Sequence, residues 1–176
     1  MATHVFQPFD ADVLQVNPFA LSKVPAILVS GHKGGKVNAM TIGWGGTGYI
    51  WEKNVGFLFV RGSRYTKELL DAYDTFSVVF FAENKTNSIW FKYFGTASGR
   101  NEDKLKAAHM EVDFEGDTPY IDEGRTIAIM KKLSVTEIKK EDFIDKSLID
   151  KYYTGGENEN NFHYMYVGEI TKLMTR

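Results

Sequence analysis

Six apolar runs rich in β-branched and aromatic residues limit what this chain can fold into: residues 24–30, 36–43, 56–60, 75–81, 126–133 and 164–170. Such side chains pack well on a pleated surface and lose rotamer freedom in a helix, so the runs favour strands. The first two are separated by the glycine-containing stretch Gly31–Gly35, which predicts a β-hairpin. Helical spacing is sparser. Leu69, Leu70, Tyr73 and Phe76 repeat at helical intervals, residues 87–94 stop at Gly95 as a C-terminal cap, and 101–109 and 144–152 are two further candidates. Residues 154–161 (TGGENENN) carry no apolar pattern and read as a polar loop. Strands do not alternate regularly with helices, which argues against a doubly wound parallel sheet. The expected class is mainly β with peripheral helices, closed or nearly closed into an antiparallel barrel. No linker divides the sequence, so residues 1–176 are read as a single domain.

Composition narrows the chemistry. The chain has no cysteine, which removes disulfides, thiolate metal sites, iron–sulfur clusters and a nucleophilic thiol. A net charge of -2 provides no global field for nucleic acid or an anionic membrane, although an aromatic content of 14% would permit base stacking. Any anion site is therefore local. The N-terminal residues lack the basic and then apolar regions of a signal peptide. No apolar run approaches the roughly 20 residues needed to span a bilayer. A cytoplasmic protein without nucleic-acid or membrane partners is the expectation.

Three segments have chemical potential. Arg61–Lys67 (RGSRYTK) follows a strand, opens a helix and holds three cations before the first acid, Glu68. A helix start presents unpaired N–H groups and the positive end of the helix dipole, which suits a phosphate. Ser63 and Thr66 can cap that helix or donate hydroxyl hydrogen bonds, and Arg64 and Lys67 carry phosphate-binding cations. The same spacing equally describes a capped helix with solvated basic side chains. Asn38–Gly45 (NAMTIGWG) ends a strand in small and polar residues, where Met40 and Trp44 can pack on a planar ring and Asn38 and Thr41 can bond its edge. A barrel strand entering a glycine bulge reads the same way. Phe94–Lys104 (FGTASGRNEDK) joins two helical stretches through a glycine turn, and its Asp103 and Lys104 suggest a surface ion pair.

Other patterns lack their context. Gly43–Gly48 matches the dinucleotide-binding glycines by letter but has no βαβ unit around it. Gly31–Lys36 has the wrong spacing for a P-loop, with Val37 where Ser or Thr should stand. His109, Glu111 and Asp113 alternate as metal ligands would, yet no second cluster completes a coordination set, so no metal is assigned. His163 precedes an apolar strand as a barrel-end residue, and no nucleophile–His–acid arrangement is present.

In order and spacing, the strand pair 24–30 and 38–44, the Arg61–Leu69 turn, the Phe94–Lys104 segment and the late strand His163–Ile170 resemble the flavin-reductase-like and flavoredoxin family of FMN-binding split barrels. Together they span about residues 20 to 172. The resemblance implies a six-stranded antiparallel split β-barrel of Greek-key character and a homodimer whose interface contributes to two flavin sites. It implies that Asn38, Ala39, Met40 and Thr41 line the isoalloxazine and ribityl chain, that Ser63, Arg64, Thr66 and Lys67 hold the phosphate, and that Ser98, Gly99, Arg100, Asp103 and Lys104 shape the rim or the dimer-related side. Leu105 stands where relatives commonly have an aromatic residue, and the late strand lacks the cysteine some relatives carry. The implied activity is an NAD(P)H-dependent flavin reductase with FMN. The alternatives are an FMN electron carrier reduced by a protein partner, and a non-enzymatic flavin-binding protein. A redox protein or an oxygenase is the implied partner class. Hydride transfer to a flavin needs no protein acid or base, so no catalytic residue is assigned.

Overall fold

The computed structural model describes residues 4–10, 21, 24–82 and 85–176. All six expected strands form, as β2 (Ala26–Gly31), β3 (Val37–Ile42), β5 (Lys53–Arg61), β6 (Thr75–Phe80), β9 (Thr126–Glu137) and β10 (His163–Thr175). They are joined by β1 (Gln7–Phe9) and β4 (Gly45–Ile50), so the sheet has eight strands where six were expected. The order is β3-β2-β6-β9-β10-β5-β4, with β1 added beside β10, and every pairing is antiparallel. Strands β6, β9 and β10 are successive neighbours and β5 returns beside β10, the Greek-key arrangement. No hydrogen-bonded ladder joins β3 to β4, so the barrel is split there.

Two apolar layers follow from the period-2 alternation of strands. Leu28, Met40, Leu58, Phe76, Met130 and Tyr166 fill the barrel. Ile27, Val29, Ala39, Val79, Ile127 and Ile129 face outward, covered by Phe94 of α2 (Lys85–Thr96), by Leu105 of α3 (Lys104–Ala107) and by Tyr120 and Ile121. Strand β2 is buried on both faces, which is why Ala26 to Val29 run apolar without a break.

The helices depart from their sequence limits for identifiable reasons. Helix α1 (Tyr65–Ala72) ends before Phe76, because Tyr73 turns extended and Phe76 joins β6 opposite Met130. Its last turn has no basic residue of its own; Lys132 from β9 donates to the carbonyls of Leu70, Tyr73 and Asp71 instead. Helix α2 passes through Gly95 to Thr96, where the Thr96 hydroxyl bonds the Lys92 carbonyl, so Gly95 is not a cap. The helix expected over 101–109 shrinks to α3, because Asp103 accepts the Lys106 N–H and starts the helix late. The segment that follows forms an unforeseen hairpin of β7 (Val112–Glu115) and β8 (Thr118–Ile121). Helix α4 (Ser147–Tyr152) occupies part of its expected span.

Helix α1 is tied to the barrel by Tyr166, a fully buried residue whose hydroxyl donates to Asp71 Oδ1 at 2.7 Å. Partial burial pushes the Asp71 carboxyl up, but the hydrogen bonds from Lys67 and Tyr166 outweigh it and hold the pKa below the usual value. That stabilisation is present above the unfolded pKa of 3.8 and is lost as pH falls through the lower folded value. Tyr166→Phe should therefore lower stability by about 1.5 kcal/mol at neutral pH, measured by denaturant unfolding. It should also lose less stability than wild type on acidification below pH ~4.

Candidate functional site

Antiparallel pairing sets β10 against β5 with His163 opposite Arg61. Beyond that pair the backbone stays matched, as Gly62 donates to the Phe162 carbonyl at 3.1 Å. The turn leaving β5 and the loop entering β10 thus meet at one mouth of the barrel, next to the start of α1. There they border a cleft of about 660 Å³. Asn38, Met40, Ser63, Arg64, Thr66, Ser98, Gly99, Arg100 and Lys104 all line it, so the three segments singled out in the sequence converge.

Four expected site residues stand elsewhere. Ala39 and Thr41 do not line this cleft, because in a strand they face opposite to Asn38 and Met40. Ala39 is buried beneath the helical layer, and the Thr41 hydroxyl donates to the Phe91 carbonyl of α2 at 2.7 Å. Lys67 pairs with Asp71 one turn along α1 at 2.6 Å and lies over the Tyr164 ring, outside the cleft. Asp103 lines a neighbouring cleft on the far side of the 99–104 segment. Nor does Asp103 pair with Lys104, since one caps α3 and the other turns inward.

The mouth of the cleft is built from polar contacts across long sequence distances. Asn38 Nδ2 donates to the buried Thr66 hydroxyl at 2.9 Å, joining β3 to α1. Arg64 is the residue before the first turn of α1, and no side chain caps that helix start. The caps expected from Ser63 and Thr66 therefore do not form. Arg100 donates to the Ser63 carbonyl at 2.9 Å, forms an ion pair with Glu68 and lies over the Tyr65 ring. Gly99 packs so closely that a Cβ on it would fall 2.2 Å from Asn38 Oδ1. Any side chain there would displace Asn38 and Tyr65 or the segment itself.

Lys104 is the most unusual group. Its side chain is 3% exposed, and its ammonium has the Phe94 carbonyl as partner at 3.3 Å over the Phe94 ring. Burial, and then the charge of Arg64, push its pKa down to about 8 against a partial counter-effect of Glu102. A cation kept in an apolar wall beside a second cation is costly unless an anion joins them.

Ten residues that border the cleft carried no site assignment from sequence, among them Arg61, Tyr65, Phe94, Glu157, Asn158 and Asn161. Tyr65 and Phe94 lay inside the quoted segments; the polar loop had no periodicity to reveal it. Arg61 is a structural tie, donating to the Asn161 and Tyr152 carbonyls at 2.9 and 3.0 Å. His163 is buried, bonds the Tyr153 hydroxyl at 2.8 Å, and is pushed down to about pKa 4 by burial and by Arg61 and Arg64. It is neutral at pH 7 and stands at the end of the barrel, as its sequence position suggested. Trp44 packs on His163 and Tyr152 and does not reach the cleft.

The fold recurs in solved flavoproteins. The flavoredoxin of Methanosarcina acetivorans superposes with a TM-score of 0.66 at 22% identity, covering 94% of this chain and 76% of that one. The FMN-binding protein of Thermus thermophilus, with bound p-hydroxybenzaldehyde, matches with a TM-score of 0.59 at 19% identity over 85% and 70%. The styrene monooxygenase flavin reductase of Pseudomonas putida matches with a TM-score of 0.58 at 11% identity over 86% and 79%. No family model and no curated protein matches the sequence. The architecture is that of the flavin-reductase-like FMN-binding split barrels.

Lys104 gives this site a stability signature. Its folded pKa lies below its unfolded value of 10.5, so the unfolded chain holds the proton longer. Without ligand, stability should rise as pH climbs from about 8 toward 10.5, and the burial penalty should be present in full below that window. Lys104→Met should raise the melting temperature at pH 7 and flatten this dependence in thermal scans.

Proposed function

We propose that this chain is an FMN-binding redox protein that seats the flavin phosphate at the turn between β5 and α1. The observation that supports this most directly is the buried Lys104 ammonium beside Arg64 in the wall of a cleft that also holds the open start of α1. A phosphate would satisfy all three. In this reading Arg64, Ser63, Thr66 and the first N–H groups of α1 bind the phosphate. Met40, Phe94 and Ala97 offer an apolar wall for the ring. The Ser98–Arg100 segment forms the rim, held down by Arg100. Lys67 plays no part, because Asp71 engages it.

Bound there, FMN would supply one- and two-electron chemistry at its isoalloxazine ring. The protein's share is orientation, access and charge. Lys104, held over the Phe94 ring, would add its positive charge to that of Arg64 toward the phosphate. His163 is neutral and already hydrogen-bonded, so it is not an acid–base group.

The leading activity in this reading is NAD(P)H-dependent flavin reduction, in keeping with the fold shared with the styrene monooxygenase flavin reductase. An oxygenase or another redox protein would then take the electrons. The second reading, an FMN electron carrier, draws on the match to flavoredoxin. Steady-state oxidation of NADH and NADPH with FMN separates them; turnover with neither nucleotide rules out the reductase. A cytoplasmic homodimer belongs to the same proposal. Exposed Trp44, Tyr49, Ile50 and Trp51 along β4 and its turn support self-association, and sedimentation equilibrium would measure it.

Arg64→Ala should weaken FMN binding by about 1.5–3 kcal/mol in fluorescence titration, the value of a charge-assisted hydrogen bond. An unchanged affinity would leave the turn as no more than a helix start. Wild-type affinity for FMN should fall as pH rises through about 8, where Lys104 loses its proton, and Lys104→Met should abolish that fall.

A further inference from the structure

Asn161 belongs to a loop with no sequence signal, yet it is the residue most closely engaged with the turn after β5. Its Oδ1 accepts the Ser63 N–H at 3.2 Å. Its Nδ2 donates to the Ser63 hydroxyl oxygen at 2.7 Å and to the Glu157 carbonyl at 3.0 Å. Chemistry alone fixes which end of the amide faces which partner. A backbone N–H can only donate and a carbonyl can only accept, so Oδ1 must face Ser63 N and Nδ2 must face Glu157 O. Arg61 holds the Asn161 backbone through its carbonyl, so the side chain is presented from a fixed point.

This has a consequence for Ser63. Because its Oγ accepts a hydrogen bond from Asn161, its own hydroxyl proton is left to donate in another direction. The Ser63 N–H is consumed by Asn161 and the Ser63 carbonyl by Arg100, so that proton is the residue's one remaining donor. Ser63 lines the cleft, and among the described residues its hydroxyl donates to no protein acceptor. The buried Thr66 hydroxyl likewise accepts from an asparagine amide, that of Asn38. Two hydroxyls at the mouth are thus each turned into donors by an asparagine behind them.

We propose that Asn161 is a positioning residue that makes the Ser63 hydroxyl a dedicated donor to an anion, and so sets a preference for phosphorylated flavin over riboflavin. The inference rests on the placement of the flavin phosphate at this turn. Riboflavin has the same ring and ribityl chain and lacks only the phosphate, so the affinity ratio of FMN to riboflavin isolates the effect.

The test is fluorescence titration of both flavins into wild type, Asn161→Ala, Ser63→Ala and the double variant. The wild type should prefer FMN. Each single variant should cut that preference on the order of tenfold, with riboflavin affinity unchanged. The double variant should lose no more than either single one, since Asn161 acts through the Ser63 hydroxyl. Equal losses for both flavins in Asn161→Ala would mean a merely structural role and would overturn the inference, as would multiplied effects in the double variant. Should Asn161→Ala fail to fold, Asn161→Asp has nearly the same shape but accepts from both Ser63 donors, and it should lose the FMN preference. An unchanged ratio there overturns the proposal as well. A wild type that binds neither flavin refutes the phosphate site and this inference together. A wild type that prefers FMN while Asn161→Ala keeps the ratio refutes the inference alone.

Discussion

The register of β5 against β10 is the constraint on which the rest of this molecule depends. His163 opposite Arg61 places Phe162 beside Gly62 and Asn161 beside Ser63. A slip of one residue would turn Tyr166 out of the barrel and break its bond to Asp71. It would also move Asn161 off Ser63. Core packing and cleft geometry are therefore selected by one choice of pairing, and the buried Tyr166 makes that choice costly to change.

Much of the fold is legible in the sequence because strands buried on one or both faces must be apolar in a recognisable rhythm. The six strands of the barrel proper follow from this. β4 does not, because Gly45, Gly46 and Gly48 give it no apolar alternation; it joins the sheet through its ladder to β5. The β7–β8 hairpin is short, and its signal went unread: Val112–Glu115 alternates apolar and charged residues before the two-residue turn Gly116-Asp117. Helix ends were misplaced where a single side chain outside the apolar pattern decides them, whether from another strand or from the helix's own cap. Lys132 completes α1 from another strand, and Asp103 delays the start of α3.

The cleft is legible in a different sense. Letters in three segments pointed to a common place, and the barrel brings them together. Of the expected lining Asn38 to Thr41, only Asn38 and Met40 border the cleft, because consecutive strand residues face opposite sides. Lys67 stands outside the cleft, paired with an i, i+4 partner on its own helix. Lys104 looked like half of a surface pair, and only packing shows it to be a buried cation. Its cost in stability is the kind of local violation that binding sites keep and cores discard.

The contact between Ser63 and Asn161 spans 98 positions in sequence, and β10 follows every other strand of the sheet. Loop closure over such a distance costs entropy, so a chain without the docked β10 would contain all the motif letters but not the assembled mouth of the cleft. A ligand bound at this cleft would touch both the turn after β5 and the loop before β10, so its binding free energy would act on the docking of that one strand.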